Sequence, residues 1–161
     1  MRSSITKRLA LIATIPATLL GLVMVAAPAS AAGVSTQKLQ GDIVYLTNKQ
    51  RALHGCKPVH ADARLTAASV AHSAYMAQTG AFGHVGRGGS DFVHRDQAAH
   101  YARPLAENIA YGYRTGVEVV VAWMNSPLHR ANLLNCKATT VGVGAVYAAN
   151  GTPYFTQDFG Y

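Results

Sequence analysis

Glutamate is rare in this sequence, which contains only Glu107 and Glu118. Glu107 lies in the stretch AENIAYGY, directly before the largely apolar run Asn108–Tyr111. A carboxylate beside a segment that becomes buried costs free energy unless a cation or a hydrogen-bond donor pairs with it. Histidine can supply either kind of partner, so the seven histidines of the chain are the first candidates.

Two of the histidines occupy positions that favour a role in a site. His84 opens the glycine-rich stretch Gly83–Asp91, where little neighbouring bulk competes for the space around its ring. His129 lies in the first turns of a predicted helix that follows Ser126. Their spacing matches neither the HExxH pattern nor a zinc knuckle, so only the fold can bring them together.

The other five histidines are interpreted as surface or structural residues. Two lie in polar connecting segments, one falls on the inner face of its predicted helix, and two are six residues apart, which places them poorly on one helix face. In that order they are His54, His60, His72, His94 and His100.

A serine-type catalytic group is one interpretation, because Ser126, His129 and Glu107 supply the residue types of a nucleophile, a base and an acid. However, Ser126 precedes Pro127, which favours a helix start with the serine hydroxyl as N-cap acceptor. The sequence contains no GxSxG motif, so no catalytic residue is assigned. Metal-assisted hydrolysis through His84 and His129 would have only Glu107 as its general base.

The N-terminal 31 residues have the three parts of a secretory signal peptide. Three basic residues lie within the first eight, residues 9–27 are mostly apolar, and Ala29–Ala31 is a small-x-small cleavage signal. Cleavage before Ala32 predicts a secreted, extracellular protein without a stable membrane anchor. The alternative is an anchor that remains in place, because the apolar run is long enough to span a bilayer.

The charge of the chain does not favour nucleic-acid binding. Three of the 14 Lys and Arg residues precede the expected cleavage site, and the 11 that remain outnumber the seven Asp and Glu residues by four. These basic residues are scattered singly, with no interleaved aromatic residues. A mildly basic soluble surface is expected, and a weak attraction to anionic lipid or cell-wall polymer stays open.

Cys56 and Cys136 are the only cysteines of the chain. In an exported protein a single pair favours a disulfide, which would close a loop of about 80 residues and contribute about 4 kcal/mol in the chain-entropy model. A metal site is an alternative that no CxxC spacing supports, and two free thiols are another.

Helical periodicity dominates the first half of the expected mature chain. Apolar residues recur at helical spacing from Lys38 to Leu53 and from Leu65 to Thr79, and a glycine follows each pattern. Asn48 lies within the first helix, where a buried amide is expected to bind a neighbouring backbone group. Residues 83–91 are predicted to form a loop and residues 93–101 a short helix.

The second half combines helices with a terminal hairpin. Residues 107–113 are ambiguous between strand and turn. Thr115 is a plausible N-cap for a helix that is apolar on nearly every side, so its Trp123 is expected to be buried. Two β-rich runs flank Asn150–Gly151, which is typical of a tight hairpin turn. Helices followed by a hairpin predict an α+β fold with an antiparallel sheet.

Five segments together resemble a known family: LTNKQRALHG, LTAASVAHSAYMAQTGAFGH, LAENIAYGY, VVVAWMNSPLHRANLLNCKATTVGVG and YFTQDFGY. They are similar to the secreted bacterial branch of the CAP superfamily, the SCP-like domain of cysteine-rich secretory proteins, insect antigen 5 and plant pathogenesis-related proteins. The resemblance covers about residues 40–161 and implies a three-layer α-β-α sandwich with a central, mainly antiparallel sheet. The expected domain therefore spans residues 38–161, after a short flexible start at 32–37.

The resemblance also implies a cleft with two histidines and two acids. The first histidine falls on His84, the first acid on Glu107 in a glutamate–asparagine motif with Asn108, and the second histidine on His129. The second acid should lie three residues after the helix tryptophan. That position is Ser126 here, so this chain departs from the family pattern.

These residues imply a non-catalytic binding module. His84, Glu107 and His129 would bind Zn²⁺ or a similar divalent cation weakly, or Glu107 would orient one imidazole while both histidines bind the ion. A purely structural network without metal is the alternative.

Lipid or sterol binding in some family members implies an apolar groove, for which Phe82, Tyr111 and Tyr113 are candidates. A scaffold in the cell envelope without a small-molecule site, and a metal-assisted or serine-type hydrolase, stay open as other functions. A monomer is expected.

Overall fold

The computed structural model describes residues 33–161, and the expected signal peptide, residues 1–31, lies outside the described part. The elements in chain order are α1 (Thr36–Leu53), β1 (His60–Ala61), α2 (Ala63–Thr79), a 3₁₀ turn (Arg87–Gly89), α3 (Phe92–Ala98), β2 (Pro104–Tyr111), α4 (Gly116–Asn125), α5 (Pro127–Leu133), β3 (Thr140–Tyr147) and β4 (Pro153–Gly160). Among these described helices, none is both long and apolar enough to cross a membrane.

Local capping explains where the long helices begin and end. The Ser35 side chain accepts a hydrogen bond from the Lys38 amide, so α1 begins at Thr36, two residues before the predicted start. Gly80 adopts a left-handed conformation with a φ of 71° and ends α2, as its position in the sequence predicted. Thr115 caps α4 by accepting from the Glu118 amide, which confirms that prediction.

The sheet has the order β1-β3-β4-β2. The β3–β4 hairpin and the β4–β2 pair are antiparallel, whereas the two-residue strand β1 pairs with β3 in parallel. The α+β fold with a mainly antiparallel sheet is therefore confirmed, with one short parallel pair as a difference in detail. The segment that was ambiguous between strand and turn, residues 107–113, lies mostly in strand β2, where each buried residue pairs with a residue of β4.

The VGVG sequence of β3 assigns one type of residue to each face of the sheet. A Cβ atom at Gly142 or Gly144 would collide with the backbone of α2, so only glycine permits this close approach. Val141 and Val143 point the other way and are buried in the apolar cluster that also contains residues of α1, α4 and α5. The period of two along a strand thus separates a face lined with glycine from a face lined with valine.

The apolar core fills the valine face of the sheet. Trp123 lies at its centre, 1% exposed, and its indole N–H donates to the Ile109 carbonyl over 3.0 Å. The expected burial of Trp123 is confirmed. Asn48 binds both the carbonyl and the amide of Val59, at 2.9 and 2.8 Å, so it tethers the chain that follows α1.

A disulfide joins Cys56 to Cys136, as the sequence predicted. Its neighbour Arg51 is fully buried, and no carboxylate within residues 33–161 pairs with it. The Arg51 guanidinium donates to four backbone carbonyls, those of Lys57, Leu133, Asn135 and Ala138. Three of these carbonyls belong to the segment that contains Cys136. The disulfide and the arginine therefore fasten the end of α1 to the same segment.

Candidate functional site

Glu107 is buried on β2, with 1% of its side chain exposed; two side chains donate hydrogen bonds to its carboxylate, and Nε2 of His72 lies 4.0 Å from its Oε2. Its Oε1 lies 2.8 Å from Nδ1 of His84, and its Oε2 accepts from Nη2 of Arg95 over 2.5 Å. The partner predicted from the sequence, His84, is therefore present, and Arg95 is a second one that the sequence reasoning missed. Both oxygens are engaged, which gives Glu107 an orienting position rather than that of a free ligand.

Arg95 also fixes the backbone of the glycine-rich loop. Its Nη1 donates to the carbonyl of His84 over 3.0 Å and to the carbonyl of Ser90 over 2.8 Å. The same guanidinium thus binds both ends of the loop. It also binds the Glu107 carboxylate, which in turn binds the His84 ring. This arrangement lowers the number of orientations open to His84, although 55% of its side chain is exposed.

Asn108 forms a second set of hydrogen bonds on the opposite face of β2. Its side-chain amide donates to the carbonyl of His129 over 3.3 Å and to Oε1 of Gln157 over 3.2 Å. Asn132 on α5 donates to Oδ1 of Asn108 and to the carbonyl of Glu107, at 2.9 and 3.1 Å. Because successive residues of a strand point to opposite faces, Glu107 secures His84 and Asn108 secures the helix that contains His129.

The hydrogen bond to Glu107 determines the tautomer of His84. A carboxylate can only accept, so Nδ1 of His84 must contain the proton, and in the neutral ring Nε2 keeps a free lone pair. Burial lowers the pKa of His129, and the charge of a protonated His84 lowers it further. His129 is therefore neutral at neutral pH, which is the form of imidazole that can bind a cation.

A cavity of about 270 Å³ contains the other predicted groups of the cleft. Phe82, Tyr111 and Tyr113 line it together with Ser126 and His129. The Phe82 and Tyr111 rings have centroids 4.7 Å apart, and Tyr111 also stacks on Tyr154 at 5.6 Å. The three aromatic candidates for an apolar groove therefore lie around one hollow, next to one of the two histidines.

Ser126 occupies the N-cap position of α5, but its side chain makes no capping hydrogen bond. The expectation that its hydroxyl caps the helix is therefore wrong. Ser126 also lines the hollow beside His129. No hydrogen bond joins Ser126 to a histidine within residues 33–161, so a serine–histidine pair is not preformed here.

A buried acidic cluster lies beneath Glu107, and the sequence reasoning did not identify it. Asp96 and Asp158 are at most 1% exposed, and Ser69 donates to Oδ2 of Asp158 over 2.7 Å. Both oxygens of Asp96 and Oδ1 of Asp158 lack a hydrogen-bond partner among residues 33–161. Burial and then the charge of Glu107 raise the pKa of Asp96 to about 7, and the same two causes raise the pKa of Asp158 well above its usual range.

Only part of this site could have been found in the sequence. Arg95 and Asp96 are consecutive in the short helix α3, and Asp158 lies on β4, directly opposite Glu107 of β2. The signal available for this cluster was the presence of charged residues within a strand and within a helix that packs against β2. Their convergence depends on strand register and on helix packing, which no local pattern reports.

Comparison with known proteins identifies the family. Residues 44–159 match the model of the cysteine-rich secretory protein family, CAP, so the chain belongs to this family. It is 37% identical over 126 residues to the uncharacterized protein YkwD of Bacillus subtilis, and 34% identical over 118 residues to the uncharacterized membrane protein YlbC of the same organism. These matches cover 78% and 73% of this chain but 48% and 33% of the relatives, so the chain spans less than half of either.

Solved structures agree with this assignment. An extracellular protein of Bacillus anthracis that contains an SCP domain superimposes with a TM-score of 0.71 at 29% identity, over 78% of this chain and 41% of that one. An outer surface protein of Borrelia burgdorferi superimposes with a TM-score of 0.73 over 80% of this chain and 96% of that one. Its 19% identity supports the fold alone. These structural neighbours are extracellular or surface proteins.

Proposed function

We propose that this protein is a secreted, non-catalytic binding module in which His84 and His129 bind a divalent transition metal weakly and reversibly. Glu107 serves as the positioning residue for His84. The observation that carries the proposal is the Glu107–His84 hydrogen bond, because it leaves Nε2 of His84 as a free, oriented donor atom. Two imidazole nitrogens suit Zn²⁺ or a similar ion.

The donor set fits a weakly held ion and not a tightly held one. No group of three or more His, Cys, Asp or Glu side chains within residues 33–161 is arranged to hold a metal ion. Two imidazoles leave at least two tetrahedral positions for water or for a ligand. When bound, the ion would attract oxygen or nitrogen atoms of a ligand in the cleft. The position of the family's second acid is Ser126, so one negative charge is missing here.

Calorimetric zinc titration of the purified protein tests the proposal. His84→Ala and His129→Ala should each remove most of the affinity, and Glu107→Gln should weaken it about tenfold by releasing the His84 ring. His60→Ala is the matched control, since His60 is an exposed histidine on β1, at the opposite edge of the sheet from β2. Equal affinity in the wild type and in the double histidine variant would overturn the metal site.

Ser126→Glu should strengthen zinc binding. The substitution adds the missing acid beside His129, and it forfeits no capping hydrogen bond because the Ser126 side chain makes none. Binding to the wild type should weaken as pH falls below the usual imidazole value of about 6.5, since a protonated ring cannot bind a metal and burial lowers the pKa of His129. A zinc affinity that does not change between pH 8 and pH 5 would exclude the histidines as ligands.

The aromatic hollow supports a lipid-like or other apolar group as the second part of the ligand. Phe82 and Tyr111 are about half exposed, yet their rings contact each other beside the cavity that contains His129. Exposed apolar surface next to a cavity is typical of a binding site. Native mass spectrometry of the protein from its secreting host should retain a lipid mass that Tyr111→Ser removes. A protein that contains neither metal nor lipid would favour the envelope scaffold.

Secretion belongs to the same proposal. The support is the three-part signal in residues 1–31, together with the likeness to an extracellular protein of Bacillus anthracis. Mass spectrometry of protein from the culture medium should find an N-terminus at Ala32. An intact N-terminus on membrane-bound protein would favour the anchor instead.

Hydrolysis is the second candidate, and one observation favours it. The hydroxyl of Ser126 is not used as a helix cap, and Ser126 lines the same cavity as His129. A panel of ester and peptide substrates, with and without zinc, tests this function. Turnover that survives in Ser126→Ala but not in His129→Ala would indicate a metal-assisted reaction, and turnover in neither the wild type nor the zinc-loaded protein would exclude both.

A further inference from the structure

The turn between β3 and β4 contains the one asparagine–glycine pair of the sequence, Asn150–Gly151. Both residues are exposed, and a Cβ atom built on Gly151 would meet nothing within 4 Å. Water therefore reaches both the side chain of Asn150 and the backbone that follows it. An asparagine in such a position can react with its own chain, because its side-chain carbonyl carbon and the next backbone nitrogen are close enough along the chain to form a ring.

The side chain of Asn150 is turned towards the backbone that follows it. Its Oδ1 accepts a hydrogen bond from the Thr152 amide over 3.0 Å. A donor on this oxygen draws electrons from the carbonyl carbon, Cγ, and stabilises the negative charge that the oxygen gains when a nucleophile attacks, as in an oxyanion hole. The covalent chain supplies the nucleophile, which is the amide nitrogen of Gly151.

Gly151 hinders this attack less than any other residue type would, because it has no Cβ beside the nitrogen and the fewest restrictions on φ and ψ. The nitrogen is engaged in the closed turn, since the Gly151 amide donates to the Ala148 carbonyl over 2.9 Å. A second backbone hydrogen bond closes the turn, from the Ala148 amide to the Thr152 carbonyl over 2.8 Å. Exposed turns open at far smaller free energies than the whole protein. The fold should therefore slow the attack without preventing it.

From these observations we infer that Asn150 is a site of spontaneous covalent modification, at which deamidation converts the asparagine to aspartate and isoaspartate. The Gly151 nitrogen loses its proton and bonds to Cγ of Asn150, the bond from Cγ to the side-chain nitrogen breaks, and that nitrogen leaves with the proton as ammonia. Water then opens the cyclic imide that remains. Cleavage at Cγ gives aspartate, and cleavage at the main-chain carbonyl carbon of Asn150 gives isoaspartate, in which the main chain runs through Cβ and Cγ. Water is consumed and ammonia released in equal amounts, with no oxidation or reduction.

Deamidation changes both the charge and the length of the turn. A carboxylate replaces a neutral amide, and isoaspartate adds a carbon atom to the main chain between two strands whose register the turn sets. The β3–β4 hairpin should therefore be less stable in the isoaspartate form than in the asparagine form.

A glycan is the other modification that this turn could receive. Residues 150–152 form the Asn-x-Thr pattern that accepts an N-linked glycan. Glycan transfer requires an enzyme and an activated sugar, whereas deamidation requires only the chain and water. The exposed turn supplies both of these, so deamidation is the modification inferred.

Peptide mapping by mass spectrometry, after incubation of the purified protein at neutral and mildly alkaline pH, tests the inference. The peptide that contains Asn150 should gain the mass of an amide-to-acid exchange and separate into an aspartate and an isoaspartate form. Conversion should be faster at the higher pH, because the Gly151 nitrogen must lose its proton, and faster in urea, which opens the turn. An Asn150 peptide that stays unchanged in the folded protein, or that has a glycan in protein from the secreting host, would overturn the inference.

Asn135 is the matched control within the same chain. Its Oδ1 also accepts from the amide two residues further on, that of Lys137, over 3.0 Å, but the residue between them is Cys136 instead of glycine. In urea, where both asparagines are exposed, Asn150 should convert at least about tenfold faster, because the side chain of Cys136 hinders the attack. Asn150→Asp should abolish the mass gain and reproduce the chromatographic position of the aspartate form alone. Equal rates at Asn135 and Asn150 would exclude the asparagine–glycine pair as the reactive site.

Discussion

The two faces of the sheet pack against their helices through different kinds of contact. Toward α1, α4 and α5 the contact is apolar and is built around Trp123. Toward α2 the contact is close and polar: Ser69 binds Asp158, and Ser73 binds Thr156 over 2.9 Å. Glycine residues on β3 permit the second arrangement, because they let the helix backbone approach the strand.

The candidate site residues lie on and around the edge strand β2, where these two faces meet. Glu107 belongs to the polar face and Asn108 to the apolar face, and each secures one histidine. A close, dry contact requires its polar groups to pair inside the protein or to give up their charge. The stability that the polar face contributes should therefore depend on pH and on the size of its small residues. The stability that the apolar face contributes should depend on neither pH nor salt.

The largest effect is expected on the glycine side of the polar face. Gly142→Ala places a methyl group against the backbone of Leu65 and Thr66, which cannot move aside as a flexible side chain can. The substitution should lower the free energy of unfolding by about 3 kcal/mol or more. Urea denaturation measures this loss.

Gly41→Ala is the control for that measurement. Gly41 is exposed within α1, and a Cβ atom there would meet nothing within 4 Å. Replacement by alanine should leave stability unchanged or raise it by up to about 1 kcal/mol. Equal effects at positions 41 and 142 would contradict the close approach of α2.

The second-largest expected effect is a dependence of the free energy of unfolding on pH. The pKa of Asp96 is about 7 in the folded protein, above its usual value of about 4, so the folded state binds this proton more tightly than the unfolded chain. Stability should therefore fall as pH rises from about 4 to about 7, by roughly 2–4 kcal/mol. The charges that face Asp96 are Glu107 from β2, Asp158 from β4 and Arg95 from its own helix.

Asp96→Asn should remove much of this slope, because asparagine stays neutral. The variant should equal the wild type near pH 4 and exceed it in stability at pH 8, with Asp158 responsible for the slope that remains. Trp123→Phe, on the apolar face, should lower stability by a similar amount at every pH. Thermal denaturation across this range decides the matter, and a parallel loss for Asp96→Asn at every pH would mean that Asp96 does not titrate as proposed.

The smallest effect is expected at Ser126. A serine that caps a helix contributes about 1 kcal/mol, but the Ser126 side chain makes no capping hydrogen bond. Ser126→Ala should therefore change the free energy of unfolding by less than about 0.5 kcal/mol. Thr115→Ala on α4 is the comparison, since the Thr115 side chain accepts from the Glu118 amide and its loss should cost about 1 kcal/mol. Equal losses at both positions would show that Ser126 caps α5 in solution.

Much of the fold followed from local chemistry. The two long helices, their glycine ends, the cap at Thr115 and the hairpin at Asn150–Gly151 depend on residues within a few positions of one another. The disulfide followed from composition and the expected export of the chain. The capping hydrogen bond of Ser126 was predicted wrongly, because the residue type and the following proline favour an N-cap position but do not set the orientation of the side chain.

What the sequence determined by itself was most of the helices, the terminal hairpin and the resemblance to the family, from which His84, Glu107 and His129 were expected as site residues and Ser126 as a departure. What only the tertiary structure decided was which groups surround Glu107. Arg95 reaches it across 12 residues of sequence, and Asp158, 51 positions away, lies opposite it in the strand register. Residue types and spacing specify local conformation, whereas burial, charge pairing and pKa depend on distances that only the folded chain sets.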